Sequence, residues 1–232
     1  MIGFEMDGAI ARITLARDGR RNAMGAAHFH ELADIAAAVP REAAVVLLQS
    51  GVPGIFSAGA DLSEAARLAD APELRAPFRL AIRAAVESLA ALPMPLVAAI
   101  DGGCHGAAVA LMLAADVRVA SSDASFAIPP ARLGIGYPAE DLARLLAVVG
   151  PGQAARLLFT AATIDAHEAL RIGLVDVIGD GAAIAAQIAA NDAGALVMLK
   201  AMLRDPAAPD HAAAFEDSFA NPRFRAAAQR YR

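Results

Sequence analysis

The sequence predicts an α/β fold of strand-strand-helix units that gives way to a helical C-terminal region. Three observations carry this expectation. The apolar runs Val45–Gln49 and Leu96–Ile100 are strand-length and continuous, as strands buried on both faces are. Segments of helical spacing, Ala26–Val39 and Glu73–Leu92, alternate with them. From Pro138 onward the spacing is almost wholly helical.

Along the chain, the turn Asp7-Gly8 opens a strand at Ala9–Leu15 that sets Ile13 and Leu15 on one face and Arg12 and Thr14 on the other. The helix Ala26–Val39 follows. The strand Val45–Gln49 closes at Ser50-Gly51 and leads to the glycine-containing loop Phe56–Asp61. The helix Glu73–Leu92 stops at Pro93-Met94-Pro95, because the residue before a proline is pushed out of the helical region, and Leu96–Ile100 is the next strand. Gly102–Gly106 is expected to break that strand. A helix at Ala107–Ala115, a strand at Val117–Ala120 and a short run at Ser125–Ile128 complete the α/β part. Farther on, Asp165-x-x-Glu168 caps a helix that Gly173 closes. No linker, charge run or repeat divides the 232 residues. The expected organisation is a core over residues 1–178 and a helical region over 179–232 of the same domain.

Composition narrows the function. A net charge of −5 and a pI near 5.5 argue against a nucleic-acid partner, and a chain with no Trp and two Tyr offers no stacking platform for bases. Cys104 is the only cysteine, which excludes an intrachain disulfide and a multi-cysteine zinc site. The start MIGFEMDGAIARITL carries Glu5 and Asp7 and does not read as a signal peptide, and Leu96–Ile100, the most apolar run, is far short of the roughly 20 residues a spanning helix needs. The expectation is a cytoplasmic protein with no membrane partner.

Two segments concentrate the chemical signal: Phe56-Ser57-Ala58-Gly59-Ala60-Asp61-Leu62, and Asp101 to Leu111 (DGGCHGAAVAL). In the second, a glycine-rich turn feeds a helix whose first N–H groups lack intrahelical partners and lie at the positive end of the helix dipole. Such a place receives developing negative charge.

Together with ITLARDGRRNAM (Ile13–Met24), PLVAAIDGG (Pro95–Gly103), ADVRVASSDASFAIPPARLGIG (Ala115–Gly136) and LLFTAATIDAHEALRIGLVD (Leu157–Asp176), these segments resemble the crotonase (enoyl-CoA hydratase/isomerase) superfamily from about Ala9 to Ile178. The resemblance implies a crotonase-like spiral of strand-strand-helix units. It also implies an acyl-CoA partner whose thioester oxygen accepts the backbone N–H groups of Ala60 and Ala107. CoA enters as part of the substrate, with no separate cofactor and no metal. By the same resemblance Ala58, Asp61, Leu62 and Gly106 line the substrate, and Arg21, with Arg17 or Arg20, lies near the CoA phosphates. Family members form trimers or hexamers. The C-terminal segment His211–Arg232, with Phe215, Phe219, Phe224 and Tyr231 in an aromatic-poor chain, fits such an interface.

The sequence departs from the family where the reaction is decided. Hydratases of the family use two glutamates, and those positions are here Ala110 and Pro130. Neither moves a proton, which argues against standard hydration. Tyr137 stands where the methylmalonyl-CoA decarboxylase branch carries a functional tyrosine, although that branch also has a histidine at the position of Ala60. Glu140 is the second acid/base candidate. Asp141 beside it also reads as a favourable helix N-terminal charge, and His105 as a structural histidine or a titrating one. The expectation is an acyl-CoA isomerase, decarboxylase or C–C bond enzyme; the alternative is a non-catalytic acyl-CoA-binding homologue. Other motifs fail on spacing. His28-x-His30 splays its side chains about 200° apart on a helix. Gly54-x-x-Ser57-x-Gly59 is one residue too long for a nucleophile elbow. Gly102, Gly103 and Gly106 do not make a dinucleotide fingerprint.

Overall fold

The computed structural model describes residues 2–231 and builds them into two sheets clad in helices. The strands β1 (Ile2–Asp7) and β2 (Ile10–Leu15) form an antiparallel hairpin. Parallel pairing then joins β2 to β3 (Val45–Ser50), β5 (Leu96–Ile100), β7 (Val117–Ala120) and β10 (Val177–Ile178), in the order β1-β2-β3-β5-β7-β10. A second sheet has the order β4 (Ile55–Ser57), β6 (Gly103–His105), β8 (Ser125–Ala127) and β9 (Ile164–Asp165), antiparallel only at β8–β9.

The run of β3 is continuously apolar because it feeds two cores. Val46 and Leu48 join the main cluster, which takes in Phe29, Phe56, Leu89 and Phe126, while Val45 and Leu47 point to the opposite face and pack with Ile10, Val97 and Ala185. The helices α1 (Ala26–Ala37) and α3 (Arg75–Ala90) cover the main core and touch through an edge-to-face pair, Phe29–Phe78, with ring centroids 6.4 Å apart. Between them runs the short α2 (Leu62–Ala66), and α4 (Ala107–Met112) is embedded behind the second sheet. Next come α5 (Ala139–Thr160) and α6 (Ala166–Arg171). The helix α7 (Gly181–Ala189) covers the outer face of the first sheet, so closely that a Cβ on Gly181 would sit 2.4 Å from that of Ala99. Last are α8 (Ala193–Arg204), α9 (His211–Ser218) and α10 (Pro222–Ala228). The α/β class with a helical C-terminal region is therefore as expected.

Several elements differ from the expectation. β1 is an additional edge strand, and only Ile2 of it is buried, so its side chains leave no apolar alternation to read. The glycine turn at residues 102–106 contains β6, because β4 and β8 supply ladder partners on both sides. α3 starts at Arg75, after a 3₁₀ turn at Pro72–Leu74. The helical stretch after Pro138 is interrupted by the two-residue strands β9 and β10. The cap at Asp165 is as read: its Oδ1 accepts the Glu168 N–H at 2.8 Å. By length and composition alone the 22-residue α5 is apolar enough to cross a membrane, but it is broken at Gly150, which has non-helical torsions.

Candidate active site

A buried asparagine joins the N-terminal loop to the first signal segment. Asn22 Oδ1 accepts the Arg17 N–H at 2.7 Å, and its Nδ2 donates to Ser50 Oγ at 2.8 Å and to the Phe56 carbonyl at 2.9 Å. Ser57 Oγ donates to the Asn22 carbonyl at 2.7 Å and accepts the Gly59 N–H at 3.0 Å. With φ near +50°, Arg21 and Asn22 turn the chain so that the Arg21 carbonyl accepts the Ala58 N–H. Asn22 stands within ITLARDGRRNAM, but its role as a hub depends on partners distant in sequence.

This scaffold aims the loop after β4. Met24 bridges Ala60 in parallel: the Met24 N–H donates to the Gly59 carbonyl at 2.8 Å and the Asp61 N–H to the Met24 carbonyl at 2.9 Å. In a parallel bridge of this kind the middle residue turns its own N–H to the opposite side. The other side is where α4 begins. Gly59 has a φ of +87°, and a Cβ there would lie 2.3 Å from the His105 carbonyl oxygen and 2.9 Å from the Ala107 nitrogen. Only glycine permits this approach, which brings the loop of Ala60 against the first residue of α4. Among the described residues neither the Ala60 N–H nor the Ala107 N–H has an acceptor. Two free donors at adjacent places can hold one developing oxyanion.

The second segment is fixed equally firmly. The Gly106 N–H donates to the Ala127 carbonyl at 2.9 Å, and the Gly106 carbonyl accepts the Val109 N–H at 3.1 Å and lies 3.5 Å from Tyr137 Oη. Tyr137 is partly buried against the main core, and burial, then the charge of Asp141, push its phenol well above the usual range. Burial alone pushes the Cys104 thiol up, leaving it protonated against Met112. His105 is half-buried with its Nε2 enclosed and unpartnered among the described residues; burial, then Arg21, lowers its pKa, so the ring is neutral at pH 7.

The two neighbouring acids at the start of α5 have opposite fates. Glu140 is partly exposed and ion-paired to Arg83 at 3.0 Å and Arg79 at 3.5 Å. Its own backbone N–H, then Arg83 and Arg79, hold its carboxyl below the ordinary range. Asp141 is 5% exposed, and burial pushes its pKa up to about 6. It lines a small cleft between α3 and α5 with Arg79, Arg83, Glu87 and Glu140.

Of the remaining predicted residues, Asp61 caps α2 through Ser63 and pairs with Arg17 at 3.6 Å, Leu62 is 61% exposed, and Arg21 is exposed beside Ala58. A cleft lined by Ala26, Leu68, Leu74, Pro77 and Phe78, with Glu64 and Arg67 beside them, opens between the start of α1, α2 and the start of α3. Ala110 is wholly buried, and Pro130 starts a 3₁₀ turn.

Two glycine-shaped loops that present a pair of acceptor-free backbone N–H groups mark a site built from the main chain of a mixed α/β fold. Comparison with known proteins makes the class specific: the profile of the enoyl-CoA hydratase/isomerase family matches residues 5–222, and the chain belongs to that family. It is 34% identical over 215 residues to the protein named probable enoyl-CoA hydratase echA6 of Mycobacterium tuberculosis, covering 91% of this chain and 86% of that one. It is 39% identical over 130 residues to human mitochondrial methylglutaconyl-CoA hydratase, spanning 56% of this chain and only 38% of that protein. A crystal structure of an enoyl-CoA hydratase/isomerase family protein from Hyphomonas neptunium superposes with a TM-score of 0.90 at 31% identity, covering 99% and 94% of the two chains.

Proposed function

We propose that the protein binds an acyl-CoA thioester with the carbonyl oxygen between the N–H groups of Ala60 and Ala107 and stabilises the derived enolate for isomerisation, decarboxylation or C–C bond chemistry. The observation that carries this reading is the contact of Gly59 with the start of α4, which sets two acceptor-free donors side by side. Each donor of such a hole contributes about 3 kcal/mol to the transition state. The cleft lined by Ala26, Leu68, Leu74, Pro77 and Phe78 suits the acyl chain, with Ala58, Asp61, Leu62 and Gly106 along the thioester and pantetheine and Arg21 near the CoA phosphates. Residues 1–178 supply this site, no separate cofactor is needed, and the setting is cytoplasmic.

Standard hydration is not the reaction. Ala110 and Pro130 occupy the positions at which the family's hydratases place glutamates, and Ala110 is sealed in the core. The wild-type protein is expected to hydrate crotonyl-CoA near background while binding acyl-CoA in calorimetry. A kcat/KM of about 10⁴ M⁻¹s⁻¹ or above would refute the hydration claim, and absence of binding by every acyl-CoA tried would refute the site. The sealing of Ala110 also favours a second reading, a non-catalytic acyl-CoA-binding homologue. Binding without turnover across enoyl, malonyl-type and β-keto thioesters would select it.

Residues 179–232 are proposed to drive assembly into a trimer or hexamer. Phe215, Phe219 and Phe224 stack edge to face with centroids 5.3 and 5.2 Å apart, each remains about half exposed, and Leu203 and Tyr231 are 82% and 91% exposed. An apolar surface of this kind suits an interface. Light scattering is expected to give a multiple of 23.7 kDa, and a monomer mass at micromolar concentration would contradict the assembly.

A further inference from the structure

The cleft between α1, α2 and α3 has an apolar interior and an unmatched charge on its wall. Ala26, Leu68, Leu74, Pro77 and Phe78 form the interior, which holds about 100 Å³. These walls are fixed in place. Phe78 is 9% exposed and packs edge to face on Phe29. Arg75 clamps the turn between α2 and α3, its Nε donating to the Leu68 carbonyl at 2.7 Å and its Nη2 to the Ala69 carbonyl at 2.9 Å. Ala26 follows closely on Met24, which bridges Ala60, so the Cα atoms of Ala26 and Ala60 lie within about 12 Å of each other.

Glu64 and Arg67 complete the lining and differ in what holds them. Glu64 Oε1 accepts the Ala26 N–H at 3.1 Å, and its Oε2 lies so close over Gly25 that a Cβ there would be 1.9 Å away. The carboxylate is committed to the N-terminus of α1, where unsatisfied N–H groups and the helix dipole offset its charge. The Arg67 guanidinium makes neither a hydrogen bond nor an ion pair with any described residue, although Glu64, Asp70 and Glu73 stand on the same helix and turn. An arginine fork without a carboxylate, on the wall of an apolar cleft, matches a carboxylate that a ligand brings.

We propose that the cleft selects a short acyl chain ending in a carboxylate, and that Arg67 receives that carboxylate and so determines specificity. This rests on the thioester-binding reading above. The length follows from volume: an apolar cavity of about 150 Å³ takes the six carbons of benzene, so about 100 Å³ takes about four. Four carbons are what a glutaryl group carries beyond its thioester carbonyl. A neutral chain of that length fills the same space and leaves Arg67 unmatched.

The test is calorimetry with glutaryl-CoA and with pentanoyl-CoA, its uncharged counterpart of equal chain length. Glutaryl-CoA is expected to bind the wild-type protein about tenfold more tightly, a preference that shrinks as salt rises from about 50 mM to about 500 mM. Arg67→Gln is expected to bring glutaryl-CoA down to the affinity of pentanoyl-CoA, and Arg67→Lys to keep part of the preference. Equal affinities for the wild-type protein overturn the proposal, as does a preference that survives in Arg67→Gln. An equal loss for both ligands would place Arg67 on the CoA moiety and overturns it too. Decanoyl-CoA binding more tightly than glutaryl-CoA overturns the limit on length. Should a variant fail to fold, the wild-type comparison and its salt dependence decide. Equal binding of glutaryl-CoA and pentanoyl-CoA overturns this proposal alone, whereas no binding by any of the three thioesters overturns the thioester site and this proposal with it.

Discussion

Gly59→Ala is expected to separate the two donor loops and to cost both stability and any thioester chemistry. The added methyl would stand 2.3 Å from the His105 carbonyl oxygen and 2.9 Å from the Ala107 nitrogen, both backbone atoms that cannot swing aside as a side chain would. The φ of +87° adds strain of about 1–2 kcal/mol for any residue with a Cβ. Relief requires moving either the β4 exit loop, tied to Met24 and Ser57, or the start of α4, tied through Gly106 to Ala127. A loss of about 3 kcal/mol or more in urea denaturation is expected. Displacing one donor should lower turnover by about 10²- to 10³-fold in the folded fraction. A variant with wild-type stability and turnover would mean that the two loops are not held in register by this contact.

Lys200→Met is expected to loosen the C-terminal helices from the core. The Lys200 ammonium is 3% exposed and donates to the Met94 carbonyl at 2.8 Å and to Asp116 Oδ2 at 2.5 Å, which also accepts the Leu96 N–H at 2.7 Å. Burial lowers its pKa and the Asp116 carboxylate opposes that shift. Methionine keeps the aliphatic stem but leaves a carboxylate and a carbonyl without their donor. Removing one member of a buried pair costs about 3–5 kcal/mol. The lower end applies here because Asp116 is about a third exposed, so Tm should fall by about 6–12 °C. A change below about 1 kcal/mol would show that Arg204, which donates to the Leu92 carbonyl, holds α8 on its own.

What the sequence discloses and what it withholds follow physical lines. Strands β3 and β5 are legible because burial on both faces demands continuous apolar runs, and the caps at Asp165 and Gly173 because they are local chemistry. β1 is not legible: an edge strand with one buried residue has no alternation to show. β6 exists only because two other strands flank it. Only motif resemblance points to Ala60 and Ala107, since a backbone donor carries no residue signature of its own. Asn22 and Gly59 act through partners far away in sequence. Which of Glu140 and Asp141 is buried depends on how α5 packs, and adjacent acids at a helix start look alike until that packing is known.

The proposed chemistry depends on a thioester oxygen lying between two backbone N–H groups, and isotope-edited infrared spectroscopy of a carbonyl-¹³C-labelled acyl-CoA measures that interaction at the atom concerned. Two hydrogen bonds in a water-excluded site polarise the carbonyl more than bulk water does. The predicted result is a thioester C=O band displaced to lower frequency when the labelled ligand is bound to the wild-type protein, and a displacement that shrinks in Gly59→Ala. A band at its solution frequency, with calorimetry showing the protein saturated, would contradict the account.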